Sequence, residues 1–257
     1  MTDWDPQQYL QFKQDRLRPV YDLVRRIEHI APKTAIDLGC GPATSTRILG
    51  EQFTEMKLTG LDNSQAMIEA ANKNYPDANY RLADAGSWVP DHPVDLIFSN
   101  AVFHWLPDHQ NLLSRLAGAL NADGTLAVQM PDNMAEPSHL AIRQTVAAGD
   151  FEKLLQTQFS CRKDIAAVDQ YYQWLKRDFN SVDIWRTSYA HILPGHTHIV
   201  DWMKGAALTP FLHVLDQAQQ QRFLDHYLAA ITSAYPAQMD GNVIFHFPRL
   251  FFVARKG

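Results

Sequence analysis

Apolar positions in the first half of the chain come in short blocks separated by stretches of helical period. Thr34–Leu38, Lys57–Leu61, Tyr80–Ala83, Val94–Ser99 and Thr125–Met130 read as five strands. Ser45–Gln52, Ala66–Asn74 and Leu112–Leu120 lie between them and read as helices. Upstream, Leu10, Leu17, Val20, Val24 and Ile27 recur at helical spacing. They predict a helix from about Pro6 to Ile30, split in two by Pro19. Strands alternating with helices imply a parallel sheet with helices on both faces, because each parallel crossover must pack back onto the sheet.

After Pro131 the rhythm changes. Leu140–Leu155 and Asp164–Lys176 read as helices, Val182–Leu193 as a strand, and Thr197–Tyr235 as helical with a break at Pro210. The closing stretch, NVIFHFPRLFFVARKG, is again strand-like. The expected fold class is therefore α/β: a doubly wound, mostly parallel seven-stranded sheet with an antiparallel edge strand and a helical cap. Residues 1–257 are read as one domain, with cap segments at about 136–180 and 196–236.

Composition narrows the function classes. The 257 residues, 46% of them hydrophobic, suffice for a substantial core. The net charge is −5, and the densest basic cluster is only Arg25-Arg26, which argues against a nucleic-acid partner. Two cysteines make no disulfide framework and point to a reducing, cytoplasmic setting. The first residues carry early acids and do not read as a secretory leader, and no uninterrupted apolar run is long enough for a bilayer.

The candidate chemistry lies at the ends of the predicted strands, where open α/β sheets bind ligands. In AIDLGCGPATSTRIL, Gly39 and Gly41 follow the first strand and Asp37 precedes them. Asp62 ends the second strand, Asp84 follows the third and Asn100 the fourth. A dinucleotide fingerprint would place a third glycine where Thr44 stands. Pro42 stiffens the turn, and Asp37 would repel a pyrophosphate while favouring an amine. Asp62 can accept from ribose hydroxyls, and Asp84 from the exocyclic amine of adenine. A nucleoside with an amino-acid tail and no phosphate satisfies all three acids, which describes S-adenosylmethionine.

Through DLGCGPATS, GLDNSQAMIEAA and LADAGSW the chain resembles the class I S-adenosylmethionine-dependent methyltransferases, a Rossmann-like family. The family usually has glycine where Ala43 stands, a change expected to narrow the turn without abolishing it. The resemblance implies S-adenosylmethionine as cofactor and S-adenosylhomocysteine as product. It implies a cofactor-binding set of Tyr9, Arg16, Asp37, Gly39, Cys40, Gly41, Asp62, Asn63, Met67, Asp84, Ala85, Asn100 and Ala101. Cys40 itself reads as a small packing residue and not as a nucleophile.

The acceptor is carried by other segments, among them WDPQQYLQFKQDRLRP, IFSNAVFHWLPDH, LAVQMPDNMAEPSH and VDIWRTSYAHIL. They resemble the branch of the family that esterifies a small polycarboxylate. A carboxylate is already ionised near pH 7 and needs no general base, so transfer would rest on proximity and orientation. His104, Trp105, Tyr189 and Arg249 are the catalytic candidates, with Arg186 and Lys204 as further anion partners. Arg186 and Tyr189 stand three apart on a strand and face opposite sides, and Tyr189 is the favoured one. Arg249 could equally be a charge on an edge strand. His196 and His198, with His191 nearby, form a His-x-His pair that reads as surface histidine on a cap loop, and no metal is expected. Another small carboxylic acid as acceptor, or a non-catalytic cofactor-binding module, are the competing readings.

Overall fold

The computed structural model describes residues 13–147, 151–161, 164–205 and 207–257. In chain order its elements begin with helix α1 (Lys13–Arg26), β1 (Thr34–Leu38), α2 (Thr44–Gln52), β2 (Lys57–Asp62) and α3 (Gln65–Asn74). There follow β3 (Asn79–Leu82), β4 (Val94–Asn100), a 3-10 turn (Phe103–Trp105), α4 (His109–Gly118) and β5 (Leu120–Pro131). The remainder comprises α5 (Pro137–Ala147), α6 (Glu152–Leu155), a 3-10 segment (Gln156–Cys161), α7 (Val168–Leu175), β6 (Ser181–Leu193), α8 (His196–Lys204), α9 (Thr209–Leu212), α10 (Gln217–Ala234) and β7 (Val243–Arg255).

The seven strands form one sheet in the order β3-β2-β1-β4-β5-β7-β6. β1 pairs in parallel with β2 and β4, β2 with β3, and β4 with β5. β7 runs antiparallel to β5, with Pro131 opposite Arg249 and Gln129 opposite Phe251. The strand order reverses between β1 and β4, so their carboxyl ends flank the switch point at which such sheets hold ligands. The expected mixed sheet is thus present, with β6 rather than β7 at the edge beyond β5.

The chain divides into two compact units, one containing Gln14–Pro131, Ile165–Thr187 and Arg249–Gly257, the other including Asp132–Asp164 and Ser188–Pro248. In the first, Leu38, Ile97, Leu126, Val128 and Phe252 pack with Leu116 of α4 and with Tyr171 and Leu175 of α7. The stretch read as a second cap helix therefore packs with the sheet core. In the other unit Ile142, Val146, Trp202, Phe223, Tyr227 and Phe245 form a separate core. Each fully buried large side chain contributes roughly 1.5–3 kcal/mol of hydrophobic stabilisation.

Among the boundaries that differ from those the sequence predicts, three have a clear local cause. Pro19 lies inside α1 without ending it, because Leu17, Val20, Leu23 and Val24 bury along one face and offset the missing backbone bond. α4 starts three residues earlier than the apolar pattern, because Asp108, at φ 53°, caps its first turn through the Asn111 amide. β5 starts at Leu120, where polar Asn121 and Asp123 mask a strand whose register against β4 shifts between Val94 and Leu96.

Candidate functional site

The turn after β1 is built from left-handed backbone: φ is +78° at Gly39, +52° at Gly41 and +68° at Ala43. Ala43 thus keeps the conformation glycine would adopt, and the turn retains its shape at a cost of roughly 1–2 kcal/mol. The two glycines serve different purposes. A Cβ on Gly39 would stand 2.1 Å from Val102 Cγ2, so this position is glycine for packing. A Cβ on Gly41 would meet nothing within 4 Å, which leaves open space over the turn.

The backbone donors of this turn are already used. Gly39 and Cys40 N–H both donate to the Leu61 carbonyl, at 2.7 and 2.8 Å, and Gly41 N–H donates to Asp62 Oδ2 at 2.9 Å. Phosphate cradles depend on such N–H groups pointing at the anion. Here they point into β2, so the turn is unsuited to a pyrophosphate. Asp37 and Pro42 point to the same exclusion in the sequence, and the bonded N–H groups are its more direct cause.

Asp37 itself is 0% exposed. Its Oδ2 accepts from Ser45 Oγ at 2.8 Å and Thr46 Oγ1 at 2.7 Å, tying β1 to the first turn of α2. Burial pushes its pKa up to about 6 against the pull of the two hydroxyls, and the nearby Asp62 charge adds to the rise. The expectation that Asp37 faces a ligand amine is corrected accordingly: the carboxylate lies beneath the turn and braces it, because β1 is buried on both faces and alternation does not aim its side chains.

Asp62 is half-buried at the tip of β2. Besides Gly41 it accepts from Ser64 N–H through Oδ1, at 3.0 Å, while the Ser64 hydroxyl caps α3 through Met67 N–H. Asn63 is exposed beside it, and Met67 is buried. Asp84 is exposed after β3, accepts from Gly86 N–H at 2.8 Å, and its carbonyl receives Ser87 and Trp88 N–H. Ala85 is buried in that loop. Arg115 of α4 donates to the Ala85, Gly86 and Trp88 carbonyls and holds the loop in place, a role invisible in the sequence because its partners lie 27–30 residues away.

β4 delivers Asn100 and Ala101, the latter at φ +58°, beside the glycine turn. Ser99 Oγ donates to the Leu38 carbonyl at 2.9 Å, and Val102 covers Gly39. The following 3-10 turn buries Phe103 and His104 and leaves Trp105 half-buried, with the His104 and Trp105 rings 4.8 Å apart. His109, unmarked in the sequence reading, anchors this turn. Its Nε2 donates to the Phe103 carbonyl at 2.7 Å and its Nδ1 accepts from the Tyr171 hydroxyl at 2.5 Å. Burial lowers its pKa, so the neutral ring that this pattern requires is the favoured form.

Arg249 is not an edge charge, since β7 lies between β5 and β6. It is 6% exposed, and its Nη1 donates to Gln129 Oε1 at 2.8 Å. Gln129, another residue without a mark in the sequence, donates in turn to Asn100 Oδ1. Tyr189 is buried in the other unit with its ring stacked near His191, and Arg186 is exposed, consistent with opposite faces of β6. Lys204 pairs with Asp201 at 3.2 Å. Tyr9 lies outside the described residues, as does the Arg16 side chain. His196 bonds the Tyr235 carbonyl, and among the described residues no group of three or more His, Cys, Asp or Glu is placed to hold a metal ion. Cys40 is buried and its thiol pKa is driven up by burial, with Asp37 and Asp62 adding to the effect, as befits a packing residue. No described helix is long and apolar enough to cross a membrane.

Residues 36–128 match a family model described as a methyltransferase domain. A protein of Methylobacterium nodulans named trans-aconitate 2-methyltransferase is 46% identical over 256 residues, covering 100% of this chain and 99% of that protein. A relative of the same name from Yersinia pseudotuberculosis is 43% identical, covering 99% of this chain and 98% of its own. Among solved structures, the YcgJ protein from Bacillus subtilis is similar in fold, with a TM-score of 0.63 at 12% identity over 93% of this chain and 97% of that one. With the glycine turn, the acid-tipped strands and identity running the full length, the chain belongs to the trans-aconitate 2-methyltransferase family of class I S-adenosylmethionine-dependent methyltransferases.

Proposed function

We propose that the protein transfers the methyl group of S-adenosylmethionine to a carboxylate of trans-aconitate, in the cytoplasm. The observation that carries this reading is the identity of 46% over the whole chain to a relative of that name. Helices α5, α6, α8, α9 and α10 are proposed to set acceptor selectivity.

The residues of the turn fit the cofactor. Gly41 opens onto free space, the N–H groups around it offer nothing to a phosphate, and Asp62 stands half-buried at the neighbouring strand tip. Asp62 would accept from the ribose hydroxyls, Asp84 and the buried Ala85 would meet the adenine edge, and Asn100 and Ala101 would floor the amino-acid tail. When bound, S-adenosylmethionine supplies a sulfonium-activated methyl group that a carboxylate oxygen takes by in-line displacement, giving the monomethyl ester and S-adenosylhomocysteine.

A carboxylate nucleophile arrives ionised, so the chain has no proton to remove. Its task is orientation, which is worth up to roughly 7–11 kcal/mol when the reacting atoms are held in line. His104 and Trp105, fixed by the 3-10 turn and by His109, are the proposed contacts for the acceptor, and the Trp105 ring face would favour a sulfonium by about 0.5–2 kcal/mol.

Labelled S-adenosylmethionine with trans-aconitate, and cis-aconitate as control, tests the proposal directly. Label entering trans-aconitate alone supports it; a bound cofactor with no label in trans-aconitate overturns the acceptor. His104→Ala should lower turnover while S-adenosylhomocysteine affinity stays within about twofold, because the ring belongs to the acceptor side and a slight misplacement is costly there.

A further inference from the structure

We propose that Gln129 is a positioning residue whose amide, oriented by Arg249, turns the Asn100 carboxamide so that its nitrogen faces the cofactor. Three side chains from three adjacent strands form this relay. Asn100 and Gln129 are register partners on β4 and β5, and Arg249 sits opposite Pro131, two residues along β5 from Gln129. Side chains two apart on a strand share a face, so all three lie on one face of the sheet.

The polarity of the relay has one solution. A guanidinium only donates, so the oxygen of the Gln129 amide must face Arg249, as it does at 2.8 Å. That leaves Gln129 Nε2 as the donor toward Asn100, where it meets Oδ1. Asn100 Oδ1 is thereby committed inward, and Nδ2 is the half of the carboxamide not engaged by Gln129. The main chain of residue 129 reinforces this, since its carbonyl accepts from Ala101 N–H at 2.9 Å where the backbone turns left-handed. Gln129 is 0% exposed in a strand otherwise apolar from Leu126 to Met130, where a polar side chain is costly unless bonded at both ends.

The position identifies what the amide serves. Asn100 ends β4, directly beside β1, and its neighbours grip the glycine turn: Ser99 through the Leu38 carbonyl and Val102 against Gly39. The donor therefore belongs to the cofactor side, and the chemistry it recognises is a carboxylate oxygen, that of the cofactor's amino-acid tail. Arg249, on this reading, acts through Gln129 without touching the ligand. The inference rests on the proposed cofactor placement, not on the identity of the acceptor.

Calorimetric titration of the full chain with S-adenosylhomocysteine, and separately with decarboxylated S-adenosylmethionine, tests it. Gln129→Glu keeps the acceptor for Arg249 but has no donor for Asn100, so the carboxamide must flip and set its oxygen against the ligand carboxylate. The expected result is a loss of about tenfold or more in S-adenosylhomocysteine affinity, the size of a charge-assisted hydrogen bond. For the decarboxylated ligand the variant and the wild type should agree within about twofold, because the partner whose absence is felt is the carboxylate. Gln129→Met imposes no orientation and should weaken S-adenosylhomocysteine less than Gln129→Glu, although it removes both hydrogen bonds. Equal losses for the two ligands, no loss for either, or a greater loss in Gln129→Met would each overturn the relay. Wild type that binds S-adenosylhomocysteine but leaves trans-aconitate unmethylated would count against the acceptor alone; wild type that fails to bind it would sink the cofactor placement and the relay together.

Discussion

Gly41 N–H donates to Asp62 Oδ2 across 2.9 Å, so the turn after β1 and the tip of β2 are one hydrogen-bonded unit. Asp62 therefore has two tasks, to hold the turn and to offer lone pairs to a ribose. Asp62→Ala should remove both. We expect it to weaken S-adenosylhomocysteine at least tenfold and to lower stability by about 1–3 kcal/mol, the range for stranded amide donors. Asp62→Asn keeps one acceptor and should fall between the two. Titration calorimetry together with urea melts separates the effects, and unchanged affinity in Asp62→Ala would place the ribose elsewhere.

The two glycines of the turn should respond differently to the same methyl group. Gly39→Ala drives a Cβ to 2.1 Å from Val102 Cγ2 and should cost about 3 kcal/mol or more in stability, part of it recovered by Val102→Ala. Gly41→Ala meets no neighbour and carries only the left-handed backbone cost of roughly 1–2 kcal/mol. The added methyl would stand in space assigned to the ligand, so the folded Gly41→Ala variant should bind S-adenosylhomocysteine about tenfold more weakly. Native affinity in that variant would mean that the ligand does not cross this part of the turn.

Asp37 makes a prediction in pH. Its carboxyl is raised to about 6 in the fold from an ordinary value of 3.8, so between those values the native state holds a proton that the unfolded state has lost. Where the native state binds more protons, stability falls as pH rises. The contribution of Asp37 is therefore present in full below about 4 and gone above about 6, with an order of magnitude of about 3 kcal/mol. Asp37→Asn removes the titration while keeping an oxygen for Ser45 and Thr46. Urea melts at pH 4.5 and 7.5 should show a smaller decline with rising pH in the variant; identical slopes would disprove a raised carboxyl.

What could be read without the structure, and what could not, follows from the range of each interaction. The strand tips were legible because the apolar blocks end at Leu38, Leu61 and Ser99, within a residue of the observed ends at Leu38, Asp62 and Asn100. The last strand was legible as a strand-like run, whereas its antiparallel direction against β5 leaves no local signature. The aim of Asp37 was not, since Ile36, Asp37 and Leu38 are all buried and alternation is silent in a strand covered on both faces. Gln129 and Arg249 stand 120 residues apart and meet only through the β5–β7 register, which no local pattern encodes. Arg115 and His109 act on backbone carbonyls, and a carbonyl carries no mark of its residue type.

His109 supplies a pH dependence of the opposite sign. Its ring, held between the Phe103 carbonyl and the Tyr171 hydroxyl, has its pKa lowered by burial. Below the ordinary histidine value of about 6.5 the unfolded chain takes up a proton that the native state resists. Stability from this group is therefore intact above that pH and is lost as pH falls through it. His109→Gln retains a donor for the Phe103 carbonyl but does not titrate, so its melts at pH 7.5 and 5.5 should differ less than those of the wild type. Tyr171→Phe removes the hydroxyl while leaving the ring buried, and should keep the wild-type slope from a lower starting stability. If Tyr171→Phe flattened the slope as His109→Gln does, the hydroxyl and not burial would be the cause. If neither did, the imidazole would titrate as it does in water, and the anchoring of the His104–Trp105 turn would be insensitive to acid.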